Sequence, residues 1–127
     1  MKVICFKGKG KTGKTTIIKR ILNEFFNIEI HKKYNDFVIS FLINCKLIGI
    51  CSYGDTLKDV KDNIEIFLRK KCDIIICASV TYGEVVNYYK SKFGEDINWI
   101  ERNSSSVYFG NQEFQQFIEI FNNLIQC

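Results

Sequence analysis

The chain has 127 residues, 46% hydrophobic and 25% charged, which suits one domain over residues 1–127 whose core needs neither disulfides nor a structural metal. Its formal net charge of +4 is unevenly placed, since residues 1–20 hold seven of the eighteen Lys and Arg and no acid. That distribution argues against a nucleic-acid-binding face, which would spread its basic residues along a surface, and for a compact anion such as a nucleotide's phosphates.

Val3 to Phe6 is a short, apolar, β-prone run that reads as a strand buried on both faces. It leads into Gly8, Lys9, Gly10, Lys11, Thr12, Gly13, Lys14 and Thr15, followed by Thr16. The spacing is GxxxxGK[ST]. Glycines let successive amides turn toward one anion, and the following helix adds its positive end. Lys14 is expected to reach the terminal phosphates and the Thr15 hydroxyl to hold magnesium. From Thr15 the apolar positions Ile17, Ile18, Ile21, Leu22, Phe25 and Phe26 recur at helical spacing, with Asn27 at the end.

Phe37 to Ile43 and Leu47 to Cys51 read as two strands, and Asn44 between them favours a hairpin turn. Ser52, Tyr53, Gly54 and Asp55 lead to a helix striped by Leu57, Val60, Ile64, Phe67 and Leu68, with Thr56 and Asp59 resembling a capping box. Ile74 to Cys77 is another buried strand. Beyond it, Ala78 to Glu84 opens a helix with Val85, Val86, Tyr89 and Phe93 that Gly94 should end. Ile97 to Ile100 reads as a last strand, Asn103 to Ser106 as a polar connection, and Phe114, Phe117, Ile118, Phe121 and Ile125 as the core stripe of a last helix. The order implies an α/β domain of three layers, its sheet mostly parallel with an antiparallel hairpin edge.

Six cysteines make no CxxC pair and no zinc-like interval; Cys5, Cys51 and Cys77 lie in apolar runs as small core residues. His31 has no local partners of ligand type. No run resembles a signal peptide or approaches the ~20 residues of a membrane span, so a reduced, cytoplasmic setting without a membrane partner is expected.

With loop, helix, hairpin and later β/α units in order, the chain resembles the P-loop NTPase superfamily, the specific motif being Gly8 to Thr16. A hairpin after the first helix is similar to small GTPases, where the strand leaving the hairpin carries DxxG near the γ-phosphate and magnesium. Here that stretch is Cys51, Ser52, Tyr53, Gly54, with Asp55 directly after it. The family's guanine-reading NKxD does not occur, so the resemblance implies ATP in preference to GTP. The loop also resembles KGGxGKTT of partition and arsenical-pump ATPases, matching from Lys9 to Thr16 except at Lys11. In that family the first lysine, here Lys9, reaches phosphates across a homodimer interface.

Phosphoryl chemistry requires magnesium, charge neutralisation and an oriented nucleophile. Lys14 and Thr15 supply the first parts. Asp55 is the candidate for a second magnesium contact, with a helix-start carboxylate as the alternative. Glu84 is the candidate for water activation, with the same alternative. Ser79 and Thr81 are candidates to contact phosphate or an acceptor from the same loop, with an ordinary polar loop as the alternative. The expected function is therefore a slow or partner-stimulated ATP hydrolase. The competing readings are a small kinase, against which the scarcity of arginine and the lack of a lid-length insertion weigh, and a nucleotide-dependent interaction module that binds a protein partner without turnover.

Overall fold

The computed structural model describes residues 1–9, 12–30, 36–102, 106 and 108–126. Gly10 and Lys11 of the loop, His31, and Asn103 to Ser105 of the polar connection lie outside them.

Alternation within the strands builds the architecture. In β1 (Lys2–Lys7), Ile4 and Phe6 face one side of the sheet while Val3 and Cys5 face the other, and all four are fully buried. β4 (Ile74–Ser79) is buried at every position. Strands with two apolar faces need helices on both sides. The face carrying Ile4, Phe6, Ile74 and Ile76 packs against α1 (Lys14–Arg20) and α4 (Asn111–Ile125). The face carrying Val3, Cys5, Ile75 and Cys77 packs against α2 (Leu57–Arg69) and α3 (Glu84–Phe93). The result is a three-layer α/β domain.

The five-stranded sheet runs β2-β3-β4-β1-β5, where β2 is Val38–Ile43, β3 is Lys46–Cys51 and β5 is Ile97–Glu101. Only the β2–β3 pair is antiparallel. Its turn is made by Asn44 and Cys45 at φ of 50° and 66°, the paired left-handed conformation that matches strand twist in a two-residue hairpin. The hairpin strand β3 does not adjoin β1, because β4 lies between them. β1 therefore has a parallel neighbour on each side, and its connection departs on one face while that of β4 departs on the other. A crevice at the carboxyl ends of β1 and β4 follows, the usual position for a ligand in such sheets.

The first helix departs from its expected regularity. After Arg20 it widens into a π-helical turn over Ile21–Phe25, where the Phe26 amide donates to Ile21 O at 3.1 Å. The wider turn directs Phe25 and Phe26 together onto Phe117 and Phe121 of α4, with ring centroids 5.2 to 6.4 Å apart. The phenylalanine stripe of α4 is core, as its spacing implies: Phe114, Phe117 and Phe121 are all buried. At α2, Thr56 is the N-cap, accepting from the Asp59 amide at 3.4 Å. Asp59, one methylene shorter than glutamate, takes the Thr56 hydroxyl proton at 2.9 Å, so the capping box is altered on its return arm.

Candidate nucleotide-binding site

The glycine-rich loop begins where β1 ends. Lys7 pairs with Ser79 at the last register position of β1 and β4, and the Gly8 amide extends that pairing by donating to Ser79 O at 3.0 Å. The Thr12 hydroxyl donates to Lys9 O at 2.7 Å. Gly13 then takes φ of 85°, the left-handed conformation glycine adopts without steric cost, and its carbonyl accepts from the Ile17 amide at 2.9 Å to start α1. From beyond β5, the Phe109 amide donates to Thr12 O at 3.0 Å and buttresses the loop.

Lys14 is the first residue of α1, and its ammonium is turned into the loop. Nζ donates to Gly8 O at 2.9 Å, to Ser79 O at 3.2 Å and to Asp55 Oδ1 at 3.3 Å, so all three protons have acceptors. Its side chain is 8% exposed, against 74% for Asp55. One charge is thus enclosed and its partner is open to solvent.

Asp55 reaches Lys14 across the end of β4. Gly54 makes that passage feasible, since a Cβ there would lie 2.6 Å from Ala78 O and 2.9 Å from Ala78 Cβ. Because Thr56 rather than Asp55 caps α2, the Asp55 carboxylate is left to the loop. Thr15, half-buried in the first turn of α1, makes no hydrogen bond to another described residue through its hydroxyl. Thr16 is exposed and lines a groove of about 790 Å³ along α1 with Lys19, Arg20 and Asn23. Lys9 is exposed.

Two of the remaining expectations need adjustment. Ser79 is fully buried and its hydroxyl donates to Val80 O at 2.9 Å, so it serves the site through its carbonyl and not its side chain. Sequence spacing cannot show this, because main-chain carbonyls are anonymous. Glu84 stands exposed in the first turn of α3, behind Gly83, and makes no ion pair with the loop among the described residues. The basic residues of positions 1–20 are less concentrated than their count implies. A strand advances about 3.3 Å per residue, so Lys2 lies at the far end of β1, where it pairs with Asp96 at 2.7 Å. Lys7 pairs with Glu101 at 2.9 Å, and Arg20 with Glu24 at 2.7 Å.

Behind the site, Cys5 of β1 stands opposite Cys77 of β4, and both share a core cluster with Cys51 and with Tyr89, whose hydroxyl donates to Ala78 O at 3.1 Å. Burial pushes the Cys5 and Cys51 thiols, and the Tyr89 phenol, well above their ordinary values. They are neutral core groups.

Among the described residues no cluster of three or more His, Cys, Asp or Glu could hold a metal by itself. Magnesium at such a loop needs no such cluster, since it takes one or two protein oxygens and completes its shell with phosphate and water. Thr15 and Asp55 provide that donor type. No helix of the described residues is long and apolar enough to cross a membrane. No family model, curated protein or solved structure matches the chain.

Proposed function

We propose that the chain is a magnesium-dependent ATP-binding protein of P-loop type that hydrolyses ATP slowly or in response to a partner. The observation that carries this reading is Lys14 Nζ, held inside the Gly8–Thr15 loop by Gly8 O, Ser79 O and Asp55. Phosphate oxygens are stronger acceptors for an ammonium than neutral carbonyls, so an entering triphosphate displaces these contacts. Main-chain amides of the loop and the start of α1 would surround the phosphates. Thr15 and the released Asp55 would hold magnesium, which supplies charge neutralisation at the β- and γ-phosphates. Glu84 is the carboxylate assigned to orienting water.

Partner stimulation is favoured by where the arginines are engaged. Arg20 donates to Glu24 and to Asn111, and Arg102 to the Ser106 carbonyl. Arg69 ends α2 just before the start of β4, at the opposite end of the strands from the loop. An additional cation for fast phosphoryl transfer is therefore left to another protein or to a second copy, from which exposed Lys9 would act.

Calorimetric titration of the full chain with magnesium-ATP, beside Lys14→Ala, tests the assignment. Loss of a charge-assisted phosphate contact of about 1.5–3 kcal/mol weakens binding roughly ten- to hundredfold while the circular dichroism spectrum is retained. Unchanged affinity overturns the loop assignment. Release of free phosphate supports hydrolysis, whereas transfer to a metabolite in a labelled-ATP panel replaces it with a kinase.

A further inference from the structure

We propose that Tyr108 is the surface on which the base of the bound nucleotide stacks, so that the loop after β5 recognises the flat face of a purine. The inference rests on the nucleotide reading of the neighbouring loop.

Tyr108 is 60% exposed, which leaves much of a large ring uncovered at the surface. A Cβ built on Gly13 would lie 3.8 Å from Tyr108 Cδ1 and 4.0 Å from Thr16 Cβ, so ring and threonine flank the same point at the start of α1. The backbone beneath the ring is pinned on both sides. Ser106 Oγ donates to Tyr108 O at 2.8 Å and accepts from the Tyr108 amide at 3.3 Å. On the other side Phe109 bonds to Thr12 O at 3.0 Å and packs edge-on against Phe6, with centroids 5.6 Å apart. A ring carried on a tied backbone, with only two side-chain torsions of its own, has little freedom to lose when a ligand covers it.

The direction of the ligand follows from the phosphates. With the terminal phosphates at Lys14, the nucleoside end leaves the loop past Thr16. Thr16 is common to both features: its Cβ stands beside the point that Tyr108 flanks, and it lines the groove together with Lys19, Arg20, Asn23, Glu24 and Glu29. The groove's volume of about 790 Å³ lies within the roughly 300–1,000 Å³ of small-molecule sites. Its polar side chains suit a ribose, and the ring suits the base. Stacking uses the π-face that every base has, and a purine offers more of it than a pyrimidine. Such a site needs no carboxylate on the base edge.

Calorimetry on the full chain, Tyr108→Ala and Tyr108→Phe, each with magnesium-ATP and with magnesium-tripolyphosphate, tests the inference. Tyr108→Ala should bind ATP about tenfold more weakly, as expected for loss of one base–aromatic stack, and tripolyphosphate within about twofold of the unaltered chain. Tyr108→Phe should retain ATP affinity. Unchanged ATP affinity in Tyr108→Ala overturns the stacking role, and so does an equal loss for ATP and tripolyphosphate, which would mean a distorted loop. Failure of the unaltered chain to bind either ligand overturns the phosphate site itself and this inference with it.

Discussion

Replacing Gly54 by alanine perturbs the one passage that brings Asp55 to the loop. The new methyl would lie 2.6 Å from Ala78 O and 2.7 Å from Ala78 C, and must retreat by about 0.7 Å to reach an ordinary carbon–oxygen contact near 3.3 Å. Ala78 cannot yield easily, because it lies in a fully buried strand and its carbonyl accepts from Tyr89. The chain at residues 53–55 moves instead. Overpacking of this kind costs about 1–3 kcal/mol, or roughly 5–10 °C in Tm for a domain of this size. The Lys14–Asp55 contact, already 3.3 Å, is lost with that movement. Gly49→Ala is the control. Its methyl would lie 2.7 Å from the Phe67 ring in the core beneath α2, so it disturbs packing away from the loop. Thermal unfolding should show both variants destabilised. Titration with ATP, with and without magnesium, should show only Gly54→Ala losing the metal-dependent part of its affinity. Wild-type metal dependence in a destabilised Gly54→Ala protein would refute the role given to Asp55, and an unchanged Tm would refute the close passage.

Glu84→Gln should slow ATP turnover in a phosphate-release assay while leaving magnesium-ATP affinity unchanged; undiminished turnover leaves that carboxylate only its favourable place at the start of α3. Stability should fall at alkaline pH. Cys5 and Cys51 stay protonated in the folded chain above the ordinary thiol value of 9.0, whereas the unfolded chain ionises them there. The unfolded state then binds fewer protons, so the stabilisation present below pH 9 is lost as pH rises, by at most about 1.4 kcal/mol per pH unit for each thiol. Urea unfolding from pH 7 to 10 measures this, and Cys5→Ser should flatten the slope.

The elements could be read from the sequence because each has a local cause. Short apolar runs and helical stripes separated strands from helices, Asn44 announced the hairpin, and glycine spacing located the loop before Lys14. Neighbour relations could not be read in this way. Nothing in the apolar run Ile74 to Cys77 says that it adjoins β1, or that it places β3 one strand further out. The π-helical turn at Ile21–Phe25 was hidden as well, since its cause is the packing of two adjacent phenylalanines on α4. Tyr108 escaped notice because a lone tyrosine in a polar stretch has no periodicity, and only folding brings it beside Gly13.

Strand order also explains why the two charges of the candidate site are held so differently. β1 and β4 are adjacent, so the end of β4 fixes both the Gly8 amide and the Lys14 ammonium through one carbonyl, that of Ser79. Lys14 is therefore held at the carboxyl ends of β1 and β4 with its ammonium already turned into the loop. Asp55 comes from β3, two strands from the loop, and arrives over Ala78 on a segment that touches Lys14 only through an exposed side chain. A contact of 3.3 Å, longer than the 2.7–2.9 Å usual for an ammonium and a carboxylate, adds little to stability. That asymmetry suits the proposed chemistry, in which the lysine must already be in place when phosphate arrives and the carboxylate must be free to exchange it for a metal.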